Sequence, residues 1–491
     1  MKNRSTQEKI KERAERRKKR KKAQTVKAVI ITVAAVILIV LVIVGIKFIS
    51  DKTEKSGYLL RRTCAVSTDT TKIDCAMLQI YMYEYINDYV ASTFPNCGFV
   101  VGQPLENQIY STDGRSWRDY FLSIAKSTAK EYASFVSAAN AADFALTESE
   151  LKAVEEKVSL LNEADFGVGI NRDDLLRAYK YSTLAQKYKA TVAQSLSMTD
   201  EELDAEYRKN RSSYETVSFR FFSVKYKTDE DKEESDNKSE NLETIYHYPD
   251  KDNARLNASD LAAVKSEDDF IKWVTAYNST IIEGVLPDTE KAVKKMTGYR
   301  HSDSDNGFSD WAFASGRTIG ETFVCEDEKN SCFNVYFLTG LPEKDESPTA
   351  NIKYILLMEQ YTGLSDSQIN ALLEELRIRY ENGESFDMLA LAYSNDNDTA
   401  FSGGSVENLI KGEMPDELDA WCFDEVRKAG DIGIVKADYG WHLVLYEGEG
   451  MPTYRARVLK ILRDEDASSK ESGILTLYSA TVNENDLDIV K

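Results

Sequence analysis

Histidine, proline and, beyond the N-terminus, an excess of positive charge are scarce in this 491-residue chain. Each scarcity closes off a class of function. The three histidines, His247, His301 and His442, stand far apart and build no HExxH zinc motif. No glycine-rich loop is followed by the lysine of a nucleotide site, and the acidic run NDNDTA lacks calcium-loop spacing. Eight prolines and 24 glycines are too few for a low-complexity chain. The formal charge is −20, yet residues 1–27 hold 13 Lys or Arg against 3 Glu, so everything after them carries −30. So acidic a body is unsuited to phosphate contacts, and no nucleic-acid partner is expected.

What is there begins with the uncharged run Ala28 to Ile46. Nineteen helical residues span roughly 28 Å, the thickness of a bilayer's hydrocarbon core. The basic flank 1–27 stays cytoplasmic by the positive-inside rule, which places the bulk of the chain outside. Lys47, Phe48 and Ile49 follow without a small-residue cleavage site, which favours an uncleaved anchor at 28–49 over a signal peptide. All six cysteines then lie where disulfides form. Cys325 and Cys332 flank EDEKNS in a hairpin-like segment and make the best pair, while Cys422, between Trp421 and Phe423, reads as a buried thiol.

Length predicts two to four domains, and the pattern divides into them. Residues 50–216 read as helical. Thr147 with Glu150, and Thr199 with Glu202, are capping-box patterns, and Asn171 caps a helix reaching about Leu196. At Val217 the text becomes strand-like, an acidic loop runs from Thr228 to Glu243, and a helix is expected near Asp260–Tyr277. An internal repeat follows. Phe308–Val324 aligns with Leu418–Ile434 at a constant offset of 110, matching Trp311 with Trp421, Phe313 with Phe423 and Gly320 with Gly430. SFRFFSV and NIKYILL correspond at an offset of 133. Two related αβ units, 217–345 and 346–452, are therefore expected, joined by a polar linker at Gly340–Thr349. The tail 453–491 opens on a strand-like RARVLKIL and could pack back on the helical block.

Within the second unit a strand is expected at Ile352–Met358. A helix follows Ser365 with Ile369, Leu372, Leu373, Leu376 and Tyr380 on its apolar face. A short helix covers Phe386–Tyr393, the loop FSGGS comes next, and a closing strand carries His442. The blocks IKYILL, GESFDMLALAYSNDND, GGSVENLIKGEMPDELDAWCF, AGDIGIV and YGWHLV, in that order, resemble the parvulin family of peptidyl-prolyl isomerases. The overall plan is similar to that of PrsA- and SurA-type secreted foldases.

That resemblance implies an α+β chain: a single transmembrane helix, a helical SurA-N-like chaperone block, and two tandem four-stranded antiparallel parvulin-like domains, the first degenerate. It implies a bacterial cell-surface foldase that isomerises X–Pro bonds, with unfolded or newly exported polypeptides as partners. No metal or cofactor is implied, and a homodimer through the helical block is allowed. Position by position, Asp396 falls where the family faces the twisting bond. His442 and Tyr354 fall on its paired histidines, the first of the pair replaced by tyrosine. Val406, Met414 and Leu418 fall on the proline pocket, with Leu409 and Trp441 beside them. Each residue also has a plainer reading: His442, Met414 and Leu418 as core, Asp396 as a loop residue. The rival function is a non-catalytic holdase or envelope scaffold, and a surface adhesin is a third. In the first repeat the offsets set Cys332 against His442 and Phe221 against Tyr354, so no polar site is expected there.

Overall fold

The computed structural model describes residues 53–228, 244–284, 286–288, 293–301 and 307–490. The expected anchor at 28–49, its basic flank and the acidic stretch beyond Thr228 lie outside the described residues. Among the described residues no helix is long and apolar enough to cross a membrane.

Helix α1 (Thr53–Arg62), strands β1 (Cys64–Ser67) and β2 (Lys72–Asp74), and helices α2 (Cys75–Thr93), α3 (Trp117–Ala141), α4 (Glu148–Ser159), α5 (Arg172–Gln194) and α6 (Asp200–Lys209) form the helical block. Reciprocal caps start the last four helices: Ser116 with Asp119, Thr147 with Glu150, Asn171 with Asp174 and Thr199 with Glu202. Each pair satisfies two backbone donors that a helix start otherwise leaves open. Helix α2 is buried without interruption from Cys75 to Met82 and packs on α3, where Ala125, Ala129 and Ala133 recur every fourth residue. Their small side chains let the two backbones approach.

Two sheet units follow. The first holds β3 (Glu215–Lys225), β4 (Thr244–Tyr246), α7 (Lys251–Ala262), α8 (Glu267–Ile281), β5 (Ile282–Gly284), β6 (Lys294–Arg300), α9 (Phe308–Phe313), β7 (Thr322–Asp327) and β8 (Cys332–Lys344). The second holds β9 (Pro348–Leu357), α10 (Glu359–Thr362), α11 (Asp366–Glu381), α12 (Phe386–Tyr393), α13 (Asn397–Ala400), β10 (Ser405–Leu409), α14 (Asp416–Cys422), β11 (Ile432–Ala437) and β12 (Gly440–Pro452). Their antiparallel sheets run β6-β3-β8-β7 and β10-β9-β12-β11, the same order element for element. Both faces of the second sheet are covered. Ile355, Leu357, Leu443 and Leu445 meet α11 and α12, while Ile352, Tyr354, Leu356 and Val444 meet α14. Central strands buried on two sides explain why IKYILL and HLVLY read as continuous apolar runs.

Four expectations are corrected. The linker is only 345–347, because β8 runs to Lys344 and β9 starts at Pro348. The helix near Asp260–Tyr277 is two helices, α7 and α8. RARVLKIL is helical, the opening of α15 (Thr453–Leu477). Its buried Ala456 and Leu459 are three apart, and the polar residues beyond continue the helix. Cys325 faces Asn334 and Cys332 faces Asp327 across the β7–β8 hairpin, so the two sulfurs stand out of register and no disulfide joins them.

After α15 the strand β13 (Thr481–Val482) pairs with β1, Val66 opposite Val482. Arg118 donates to the carbonyls of Leu487 at 2.9 Å and Val490 at 2.7 Å. The last residues thus complete the helical block, and the sheet units sit between its two chain segments.

Candidate active site

The second sheet presents its polar groups on the α14 face. Tyr354 comes from the central strand β9, His442 from the neighbouring central strand β12, and Asp396 from the turn before α13. Gly403 and Gly404 hold positive φ (75° and 76°), and the Gly404 carbonyl accepts from the Tyr354 amide at 2.9 Å. A Cβ at Gly404 would collide with the Tyr354 carbonyl oxygen. Only glycine lets the loop lie this close to β9. Gly404→Ala is therefore expected to cost the domain about 3 kcal/mol in urea unfolding, whereas Gly412→Ala, with open space around it, tests the positive φ alone.

The Tyr354 hydroxyl donates to Asp396 Oδ2, as does Thr399 Oγ1 at 2.6 Å, and the Asp398 amide donates to Oδ1 at 3.0 Å. Burial, then the Asp396 hydrogen bond, pushes the Tyr354 phenol well above its ordinary range, so it stays a donor. The His442 ring lies 5.7 Å from that of Tyr354 and 5.4 Å from that of Tyr439 in the β11–β12 turn. His442 is 0 % exposed, and neither ring nitrogen has a hydrogen-bonding partner among the described residues. Burial lowers its pKa to about 4, against smaller upward pulls from the Val435 main chain and the Asp396 charge. The Val435 main chain is near enough to exert that pull but lacks hydrogen-bond geometry.

The imidazole is thus neutral at pH 7, and the sign of its linkage follows. Between pH 6.5 and 4 the unfolded chain binds the proton that the folded chain refuses. Above pH 6.5 this group adds no charging penalty, and as pH falls to 4 it comes to destabilise the fold by roughly 3 kcal/mol. Urea midpoints of the domain across that window check it.

The structure brings together Tyr354, Asp396 and His442, with half-buried Val406 and Met414 on the same apolar cluster. Two expected lining residues sit deeper. Leu418 is 0 % exposed and Leu409 2 %, so, like the equally buried His442, they lie beneath the patch and act on a ligand only through the groups above them. Trp441 is a correction. Adjacent to His442 on a strand, it points to the opposite face, where it packs among the α11 and α12 residues and donates Nε1–H to Asp366 at 2.8 Å. Sequence reasoning missed Thr399 and Tyr439. Thr399 lies three residues beyond Asp396, a spacing at which its hydroxyl reaches back across one turn. Tyr439, 45 % exposed, stands at the mouth because Ala437 pairs with Gly440 and leaves a two-residue turn. Half-buried Met358 and Phe423 extend the apolar floor.

No nucleophile is ready here. Burial raises the Cys422 thiol to about 12, and the described residues include no cluster of His, Cys, Asp and Glu able to hold a metal. A groove of about 490 Å³ at the far end of β9 and β10, lined by Asn351, Ser405, Asn408 and Glu447, contains none of these side chains. What remains is a satisfied carboxylate network beside a neutral, water-shielded imidazole on a half-open apolar patch.

The first repeat corrects another expectation. Phe221 pairs with Tyr336 and Ser223 with Asn334, as Tyr354 pairs with Val444 and Leu356 with His442. Cys325 faces Asn334 just as Val435 faces His442. The first hairpin turn is two residues longer, so the offset drops from 110 to 108 across it and Asn334, not Cys332, takes the place of His442. The position is polar after all: Ser223 Oγ donates to Asn334 Oδ1 at 2.7 Å, and Cys332 Sγ lies 3.5 Å from the same oxygen.

Comparison with known proteins agrees with the second unit. Residues 355–448 match the family model for rotamases, the PPIC-type PPIASE domain. Foldase protein PrsA 1 of Listeria monocytogenes is 30 % identical over 101 residues, covering 21 % of this chain and 31 % of that protein. Chaperone SurA of Chromohalobacter salexigens is 34 % identical over 87 residues, covering 17 % and 19 %. The chain thus spans about a third or less of the length of these curated relatives. Among solved structures, PrsA from Bacillus anthracis overlays 28 % of this chain and 64 % of its own at 20 % identity and a TM-score of 0.19. PrsA from Bacillus subtilis overlays 68 % and 98 % at 14 % and 0.19. Scores so low say nothing about how the domains are arranged.

Proposed function

We propose, from the premise that residues 355–448 are a parvulin-type domain, that this chain is a foldase of exported polypeptides which speeds cis/trans isomerisation of X–Pro bonds. The reading includes a single-pass anchor at 28–49 holding the bulk of the chain outside a bacterial membrane. The helical block and the first repeat then hold unfolded segments while the second unit works on their prolines.

One observation carries it: the Tyr354–Asp396–Thr399 network stands beside the neutral His442, with Val406, Met414 and Phe423 half-open alongside. An X–Pro amide rotates over a barrier of about 18–20 kcal/mol and takes tens of seconds unaided. Rotation breaks the amide resonance and needs no covalent step. A site that seats the proline ring on an apolar floor, excludes water and holds fixed dipoles around the turning bond favours the twisted state over either planar one.

A second reading, the non-catalytic holdase, is favoured by the three neighbours that already donate to Asp396, the Tyr354 and Thr399 hydroxyls and the Asp398 amide. The full chain in detergent, assayed on a short X–Pro peptide and for suppression of aggregation of an unrelated client, separates the two. Acceleration supports the enzyme. Suppression without acceleration by folded protein leaves only the holdase, and neither result leaves an interaction protein of another kind.

A further inference from the structure

The loop that carries Asp396 and Thr399 has two sets of anchors. One belongs to its own sheet. The Asn395 amide donates to the Leu356 carbonyl at 2.7 Å, and Asn395 Oδ1 accepts from the Met358 amide at 2.9 Å. The Leu356 amide donates to Ser394 Oγ at 3.2 Å.

The other set belongs to the helical block, more than 200 residues earlier in the chain. Leu391 and Ala392 of α12 are buried in that block's core, and Met388, Tyr393 and Phe401 pack against it. Arg379 grips both oxygens of Glu156 on α4, at 2.9 and 3.1 Å, and the Tyr393 hydroxyl donates to Glu156 Oε1 at 2.7 Å. Lys187 of α5 donates to the Phe401 carbonyl at 3.3 Å while paired with Glu150 at 2.8 Å. The loop is therefore held at Tyr393, just before it starts, and at Phe401, two residues beyond Thr399. The Glu156 carboxyl lies below its usual range, because the Arg379 and Tyr393 bonds outweigh the burial that opposes them. The first repeat offers a contrast: α7 and α8, in the places of α11 and α12, bury their apolar faces in a core that contains no residue of the helical block.

We propose that the helical block is a working part of the isomerase, and that Glu156 and Lys187 are positioning residues that set the loop bearing Asp396 and Thr399. The proposal rests on the isomerase reading above. Neither residue belongs to the site, so each acts through the loop. Misplacing a reacting group by an ångström from afar is enough to cost up to about 100-fold.

The test uses the full chain in detergent with Glu156→Gln, Lys187→Met and Lys187→Arg. Both uncharged variants are expected to lower kcat about ten-fold with KM within about two-fold, and Lys187→Arg, which can still reach the Phe401 carbonyl, to recover most of it. Amide hydrogen exchange is read beside it. Exchange is expected to quicken at 395–404 and to stay as in wild type along β9 and β12. Unchanged kcat with unchanged loop exchange overturns the proposal. So does exchange that quickens evenly over loop and strands, since docking then only stabilises the domain. A wild-type chain with no isomerase activity but loop-confined exchange changes in the variants retires the isomerase reading and still supports the clamp.

Discussion

Replacing Asp396 with alanine is expected to lower kcat/KM on an X–Pro peptide about 100-fold. The carboxylate does two things that alanine cannot. It accepts from Tyr354 and Thr399 at once, fixing the direction of the Tyr354 hydroxyl, and it places a negative charge beside the His442 ring. Tyr354→Phe, which keeps the ring and removes one donor, is expected to cost about ten-fold, near the loss of one hydrogen bond to a charged group. The two changes share a network, so the double variant should fall well short of the product of the singles. Because Asp396 also caps α13, unfolding of each variant is followed in parallel. Asp396→Ala with wild-type kcat/KM and a lowered midpoint would reduce the residue to a helix cap.

His442→Leu is expected to separate activity from stability. The imidazole is buried with both nitrogens lacking a hydrogen-bonding partner among the described residues, which costs the fold about 1–3 kcal/mol relative to an apolar side chain of similar size. Leucine should therefore hold or raise stability by about 1 kcal/mol while kcat/KM drops at least about ten-fold. A residue that lowers stability and is present nonetheless is what a functional site looks like. The same variant removes the imidazole whose lowered pKa predicts a fall between pH 6.5 and 4, so its urea midpoint should lose that part of the acid-side fall expected of the parent. A stability loss with activity intact would make His442 a core histidine and nothing more.

Much of the second unit was legible in one dimension because its signals are local. Ser365 and Gln368 three residues apart start α11, and Phe386–Tyr393 forms a helix over the residues the pattern marked. Trp, Phe and Gly at a constant offset announced two copies of one topology, and the sheets bear that out strand by strand. The offset failed where the copies differ in loop length. Two extra residues in the first hairpin move Asn334 into the place assigned to Cys332, and a gapless alignment has no means of registering that. Strand alternation alone separates Trp441 from His442. Both faces of this sheet are apolar, however, so hydrophobicity could not say which face carries the site.

The sequence by itself determined most elements of the second unit and the repeat, and the resemblance marked the positions of Tyr354, Asp396 and His442. The elements and the repeat depend on capping, periodicity and spacing over a few residues, and the site positions on the resemblance alone. Only the tertiary structure decided that Leu418 and Leu409 lie under the patch, that Thr399 and Tyr439 join it, that α15 is a helix returning to the first domain, and that Glu156 and Lys187 grip the loop. Each of these depends on which surface meets which across tens to hundreds of residues. The side chains that settle it, one arginine, one lysine and a few half-buried apolar groups, look no different in the sequence from those on any solvated helix.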